Sequence, residues 1–599
     1  MISLTNNSVR DLKKVVAEEF GDGFGADIMT IHSLGNSIVR KRTCVGGNRC
    51  NILRIIINDL VQIDRRCANA LISYVDGMRL AGFGDLSYSG QQIPQAGLRI
   101  VCDTLFRCNF KCEYTRAVRN TKESVPAYLT LDDGRGRRFK LYSDDDRLRD
   151  VVKDPSKAWQ FLRDCGFPMD RANVNDLASN ILMAWNDRIP ESIGAVIGRC
   201  KCTRTTVADL RRANDPDSED RRMRVEEKLY LIDRIWDQYS MIYSQGEMVD
   251  FEDMVVMATV MVDNGCRLYK TYDRVLIDEY QDVSSILVGL VTALRRRMGF
   301  RLFCVGDDWQ SIYSFSGGDV WETFGFEEIW SGFGDVSIHR IERTYRCPQA
   351  LVEMTNRFVS KNPMQMKKAI KGHQRNTLPP VQLLPTESDW DIARVISNRL
   401  EHLDPKESVL IIGRTRNDVN SLTAPSFVKD DVEGDATAGS VNVMFRVWDE
   451  YIEDMRDDRV VKYMTAHSSK GLEADNVFII ADRDRGGFPS MVYDDISELF
   501  HTRDEGIEYA EERRVLYVAM TRARKRLFII NRMDEGYVFS SVTPMIQEII
   551  TDNIRLLSRS TPVCRECAGP MKIVRYKGST FYGCLDRTCR GGSRPFDGL

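Results

Sequence analysis

No run in the 599 residues approaches the roughly 18 apolar side chains that a membrane span needs. Met1 is followed by Ile2, Ser3 and Leu4, so the basic-then-apolar pattern of a secretion signal is missing as well. The expectation is a soluble, cytoplasmic protein. Charge of one sign is equally scarce. With 84 Lys and Arg against 87 Asp and Glu, the net charge is -3, which excludes a globally basic coat and leaves any nucleic-acid contact to a local groove. A disulfide framework is also absent. The sixteen cysteines are scattered through a long charged chain except for one tight group at the end, a distribution that suits reduced thiols plus one metal site.

What the chain does have is length and apolar content. At 43% hydrophobic, several domains can each build a core. The first forty residues read as a short strand, a helix from Val9 to Phe20, a Gly-rich break and a second strand ending at Thr30. From about Lys41 to Gln245 the pattern is irregular and then mostly helical, which suggests an insertion. Strand rhythm returns at Val275 to Ile277 and at Leu302 to Val305, two apolar runs that each end in acidic residues, as buried parallel strands with catalytic loops at their carboxyl ends would. Val409 to Ile412, Val477 to Ile480 and Leu527 to Ile530 predict a second parallel-sheet domain.

Two carboxylates directly follow the strand at Val275: one, Asp278, is placed to hold Mg²⁺ and the other, Glu279, to orient an attacking water. An Asp-Glu pair at a strand end is by itself common in solvated turns. Some two dozen residues later comes Val305-Gly-Asp-Asp-Trp-Gln-Ser-Ile-Tyr313, continuing to Asp319. Here Gln310 can sense a γ-phosphate and Tyr313 and Phe315 can stack on bases.

Together, Asp278-Glu-Tyr-Gln-Asp282 and Gly306-Asp-Asp-Trp-Gln-Ser-Ile-Tyr313 resemble motifs II and III of the UvrD/Rep group of superfamily 1 helicases, and the tryptophan-containing form is similar to the DNA helicase IV type. The resemblance continues in order through Arg343-Thr-Tyr-Arg-Cys347, Met464-Thr-Ala-His-Ser-Ser-Lys-Gly-Leu-Glu473 and Glu511-Glu-Arg-Arg-Val-Leu-Tyr-Val-Ala-Met-Thr-Arg-Ala523. It implies that Tyr345 stacks on adenine, that Arg346 and Arg522 reach the γ-phosphate, and that Glu473 meets the ribose. It also implies that Thr465 and His467 lie towards DNA. Leu4-Thr-Asn6 and Thr30-Ile-His-Ser33 resemble motifs Ia and Ib, which would add Thr5, Asn6, Thr30 and His32 to the DNA contacts.

The implied fold is α/β, with two RecA-like parallel-sheet domains of the P-loop NTPase type, a largely helical insertion and a small C-terminal zinc ribbon. The expected boundaries are 1–40 and 246–325 for the first domain, 41–245 for a 1B-like insertion, 326–555 for the second domain with a reduced 2B, and 560–599 for the ribbon. The implied activity is ATP-dependent and Mg²⁺-dependent helicase or translocase action, 3′-to-5′, on single-stranded or partly duplex DNA, with repair or recombination as the family-level role.

One element of that resemblance is missing. No Gly-x-x-x-x-Gly-Lys-Ser/Thr string, the Walker A loop whose N–H groups cradle phosphates, occurs in the sequence. The expectation is an upstream-encoded Walker A fragment. The competing reading is an ATPase-deficient DNA-binding or regulatory subunit derived from a helicase. Leu4 and Ser316 also depart from the stacking aromatic and arginine of many relatives.

At the end, Cys564-Arg-Glu-Cys567 and Cys584-Leu-Asp-Arg-Thr-Cys589 are two thiolate pairs at the spacing of a tetrahedral Zn²⁺ site. The segment is similar to the zinc ribbons of type I topoisomerases. Arg565, Lys572, Arg575, Lys577 and Arg587 add a basic surface suited to single strands. Cys108 with Cys112, and Cys200 with Cys202, have no second matched pair nearby and read as buried thiols or, alternatively, an iron-sulfur site.

Overall fold

The computed structural model describes the chain outside residues 4–5, 22–24, 41, 44–48, 82–86, 90, 92, 109–111, 116–117, 120–123, 133–137, 156, 166–172, 215–218, 246–247, 375–380, 387–391, 393–394, 397–398, 401, 416–417, 419–460, 482–486, 491–498, 501–504, 533–542, 554–570, 577–578, 585–593 and 596–599. It forms two compact units. The first comprises Met1–Val305, Phe315–Gly318 and Val492–Thr502; the second comprises Gly306–Ser314, Asp319–Met491 and Arg503–Leu599. The break falls at Val305, because Trp309 and Ile312 are buried in the core of the second unit. Among the described residues no helix is long and apolar enough to cross a membrane.

The first unit contains a parallel sheet built from β1 (Ile2–Ser3), β2 (Met29–Thr30), β6 (Arg274–Ile277) and β7 (Arg301–Cys304), in the order β7-β6-β1-β2. The helix after β1 runs Asn6–Phe20, starting earlier than the apolar periodicity predicts, because its first turn is polar. Between β2 and β6 lie two further cores. Helices Arg49–Ile63, Arg65–Ala81, Val174–Ala184, Arg188–Thr203 and Glu219–Gln245 pack Ile57, Leu71, Ile181, Ile193 and Leu229 together. A smaller module sets helix Ala96–Phe106 against an antiparallel sheet of β3 (Cys112–Thr115), β4 (Tyr128–Asp132) and β5 (Arg138–Tyr142). The insertion is therefore largely helical, with this sheet and a few two-residue strands besides.

Sheets of parallel strands are normally covered on both faces. Strand β7 is the edge of its sheet among the described residues, and Phe303 and Val305 remain 60% and 46% exposed.

The second unit contains a five-stranded, all-parallel sheet ordered β8-β12-β11-β9-β10, from β8 (Val381–Thr386), β9 (Val409–Gly413), β10 (Val461–Thr465), β11 (Ala474–Ile480) and β12 (Ala523–Arg532). Side chains alternate between two cores. Leu383, Ile412, Ile479, Leu527 and Ile529 face one together with Trp309, Leu351 and Leu516. Leu384, Ile411, Phe478, Phe528 and Ile530 face the other with Ile392, Ile396 and Leu400. Both faces of the central strands are covered, so β9, β11 and β12 carry continuous apolar runs, whereas β8 and β10 mix polar and apolar residues. Near the C-terminus β13 (Met571–Tyr576) and β14 (Ser579–Cys584) pair antiparallel.

Candidate nucleotide and nucleic-acid site

In the first unit the acidic pair follows β6 directly. The Asp278 N–H donates to Ile2 O at 3.0 Å, and the Tyr280 N–H to Val305 O at 2.9 Å, so the turn is tied to both neighbouring strands at their carboxyl ends. Glu279 between them takes a left-handed backbone, φ 55°. For a non-glycine residue this costs on the order of 1–3 kcal/mol and persists only where the surroundings hold it, a condition common at functional sites. Its carboxylate accepts the Gln281 side-chain N–H at 2.5 Å. Two hard carboxylates at a strand end suit Mg²⁺ and water, the chemistry expected of Asp278 and Glu279.

Thr30 is used structurally. Its hydroxyl accepts the Ser33 N–H at 3.1 Å and caps helix Ile31–Val39. His32 packs edge-on against Phe251, and burial lowers its pKa. Thr5, and the side chain of Asn6, lie outside the described residues, as do the side chains of Cys564, Cys567, Cys584 and Cys589. Phe315 is 44% exposed.

In the second unit the expected residues fall on two rims of one sheet. Glu473 and Arg522 stand immediately before β11 and β12, on the amino-terminal rim. Arg522 is 1% exposed, and its guanidinium donates to Val518 O at 2.8 Å, Leu472 O at 3.3 Å and Gln310 Oε1 at 3.4 Å. Arg346 Nε donates to Glu473 Oε2 at 2.9 Å, and neighbouring Tyr345 is 67% exposed. The structure thus gathers Gln310, Arg522, Arg346 and Glu473, residues read from four separate motifs.

The carboxyl-terminal rim holds Thr465 at the end of β10, His467 just after it and Arg414 after β9. Burial, and then the nearby Arg414, push the His467 pKa down to about 4. Arg414 is itself paired with Glu512 at 2.9 Å. Tyr313 Oη donates to His467 O at 3.2 Å, and the Ser314 N–H to Glu511 Oε1 at 3.1 Å. Tyr313 is partly buried against the core, so its ring is a packing element as well as a candidate stacking surface.

Two segments therefore run from rim to rim: Gln310 to Ser314, and Ala466 to Leu472. They are joined along the way by Lys470, whose ammonium donates to Gln310 O at 2.9 Å.

Lys470, within the Met464–Glu473 motif, and Lys368, outside the motifs, are two further lysines that this arrangement uses. Lys368 Nζ contacts the carboxylates of both Asp307 and Asp308. Asp308 is 1% exposed, and burial raises its pKa against the opposing effect of Lys368. Trp309 Nε1 donates to Met366 O at 3.2 Å, the Met366 N–H to Asp308 Oδ2 at 2.9 Å, and Gln310 Nε2 to Asp307 Oδ2 at 2.6 Å. Segment 362–368 is the clamp that holds the loop carrying Gln310.

The UvrD/REP helicase N-terminal domain family matches residues 1–328, more than half of the sequence, and the UvrD-like helicase C-terminal domain family matches residues 441–533. The chain belongs to the UvrD/Rep helicase family. Within that family, DNA helicase IV of Escherichia coli (strain K12) is 33% identical over 285 residues, 47% of this chain and 37% of the relative. ATP-dependent DNA helicase Rep of Buchnera aphidicola subsp. Baizongia pistaciae is 27% identical over 173 residues, 28% and 25% respectively. A probable DNA helicase of Mycoplasma pneumoniae is 23% identical over 303 residues, 49% and 50%. The chain thus spans between a quarter and a half of the length of these UvrD/Rep relatives.

Proposed function

We propose that this UvrD/Rep family chain works as an ATP-dependent DNA helicase or translocase that moves 3′-to-5′ on single-stranded DNA. The observation that carries the reading is the cluster of Gln310, Arg522, Arg346 and Glu473 on one rim of the second sheet, linked by two short segments to His467 and Thr465 on the other. A permanently charged, forked guanidinium held by backbone carbonyls is suited to charge developing on a transferred phosphoryl group. Rim-to-rim segments are suited to transmitting a change at phosphate to a bound strand. In this reading Asp278 holds Mg²⁺, Glu279 orients the water, Tyr345 stacks on adenine, and Thr5, Asn6, Thr30, His32, Tyr313, Phe315, Thr465 and His467 line the DNA path. The ion would neutralise phosphate charge.

The phosphate loop is read as coming from a strand–loop–helix element outside this sequence. Such a motif brings one strand and one helix, and β7 offers a sheet edge and the exposed pair Phe303 and Val305. The cysteine pairs at the end are read as a zinc ribbon that binds single strands, with one zinc per chain expected by elemental analysis.

The deciding experiment measures DNA-stimulated ATP hydrolysis by the purified chain, with and without a polypeptide bearing a Walker A strand–loop–helix, using Glu279→Gln as control. Hydrolysis that needs DNA and Glu279 in either arm supports the reading. DNA binding with no hydrolysis in both arms overturns it in favour of a non-enzymatic DNA-binding subunit.

A further inference from the structure

Outside the helicase motifs, the small module of the insertion brings two thiols together. Cys102 lies on helix Ala96–Phe106 and Cys112 opens β3, and their sulfurs are 2.8 Å apart. Both are reduced. The approach is held from several sides. Gln91 Nε2 donates to Cys112 O at 2.8 Å, and Gln91 Oε1 accepts the Tyr114 N–H at 2.7 Å, which pins the start of β3. On the helix side Tyr88 N–H donates to Asp103 Oδ1 at 2.7 Å, and Ser89 Oγ lies 3.5 Å from Cys102 Sγ.

We infer that Cys102 and Cys112 form a reversible, peroxide-driven disulfide that ties helix Ala96–Phe106 to β3. A disulfide needs its sulfurs at about 2.05 Å, so closure asks for less than 1 Å of movement from the observed 2.8 Å. The order of attack follows from the hydrogen bonding. Cys112 and Ser89 both favour the Cys102 thiolate and lower its pKa, while the Cys112 thiol is raised by the same contact. Cys102, fully buried and accepting the Cys112 S–H, is assigned as the nucleophile on that hydrogen bond. Its thiolate attacks one peroxide oxygen, the O–O bond breaks, and Cys102 sulfenic acid and, after protonation, water are formed. The Cys112 sulfur then attacks the Cys102 sulfur, the S–O bond breaks, and the Cys112 proton leaves with the hydroxide as a second water. Two thiols and one hydrogen peroxide give one disulfide and two waters; a dithiol reductant reverses the product.

The neighbouring cysteines do not argue for a metal instead. Cys108 and Cys165 line the same core and Cys200 lies in the separate helical core, but among the described residues no group of three metal-ligating side chains occurs.

The test treats the full-length chain with sub-millimolar hydrogen peroxide, blocks remaining thiols with iodoacetamide and maps peptides without reduction. The expected result is a linked peptide pair joining Cys102 to Cys112, about 2 Da lighter than the sum of the reduced peptides, lost on adding dithiothreitol. Cys102→Ser should abolish the link and leave Cys112 alkylated, with circular dichroism checking that the variant folds; Cys165→Ser, in the same module, should retain it. Should the serine variant misfold, Cys112→Ala is the second test of the same loss. Recovery of both residues fully alkylated after peroxide, or linkage of either only to another cysteine, would overturn the proposal.

Discussion

Gln310 and Arg522, 212 positions apart in sequence, meet at 3.4 Å, amide oxygen to guanidinium, at the amino-terminal rim of the second sheet. The pairing joins the loop at 306–314 to the turn that ends helix Ala510–Met520, so a group that draws on Arg522 also pulls on Gln310 and, through Lys470, on the segment leading to His467.

The first expectation concerns that arginine. Arg522→Lys keeps the charge but loses the fork, and DNA-stimulated ATP hydrolysis, measured in whichever arm shows it, should fall by about 10³-fold. Binding of a fluorescent single strand should change little. Unaltered hydrolysis would remove Arg522 from the phosphate site.

Lys368 is the counter-charge of a nearly inaccessible carboxylate. Lys368→Met should destabilise the chain by roughly 3–5 kcal/mol in urea unfolding at pH 7, since it leaves Asp308 buried and unpaired. Adding Asp308→Asn should recover a large part of that loss. The sign with pH follows from the raised pKa of Asp308. A carboxyl that binds its proton more tightly when folded gains stability as pH falls, so the Lys368→Met defect should shrink towards pH 4. A defect independent of pH would mean that Lys368 acts by packing alone.

His467 works in the opposite sense. Its folded pKa of about 4 lies below the ordinary imidazole value of 6.5, so the neutral ring is the folded form. The stability it contributes is present above pH 6.5 and is lost as pH falls towards 4, amounting to about 3 kcal/mol at full extent. His467→Gln should flatten that part of the pH–stability curve. If wild type and variant run parallel from pH 7 to pH 4, the ring is solvated.

Phe303→Asp tests the edge of the first sheet. At 60% exposure the change should alter the stability of the chain alone by no more than about 0.5 kcal/mol. In the reaction supplemented with a Walker A polypeptide it should lower ATP hydrolysis at least about tenfold. Equal hydrolysis by the two proteins would rule out docking at β7.

Much of the architecture was legible in the chain itself. The runs at 275–277, 302–304, 409–412, 477–480 and 527–530 all lie in strands; in the second sheet a parallel strand covered on both faces leaves an uninterrupted apolar signature, whereas β7 is apolar although Phe303 stays exposed. The motifs were legible for a related reason, since strand ends and turns impose residue types over a few neighbouring positions. The start of the helix at Asn6 was not, because a polar first turn carries no periodicity.

The sequence by itself determined the most apolar strands, the parallel α/β character and the family, all of which rest on patterns a few residues long, but not β8, β10 or the antiparallel sheet of the insertion. Only the tertiary structure decided that Gly306 to Ser314 joins the second unit, that Lys368 neutralises Asp307 and Asp308, and that Lys470 and Arg522 converge on Gln310. Those partners are 60 to more than 200 residues apart along the chain, and their meeting depends on how buried faces such as that of Trp309 pack, a property that no local pattern encodes.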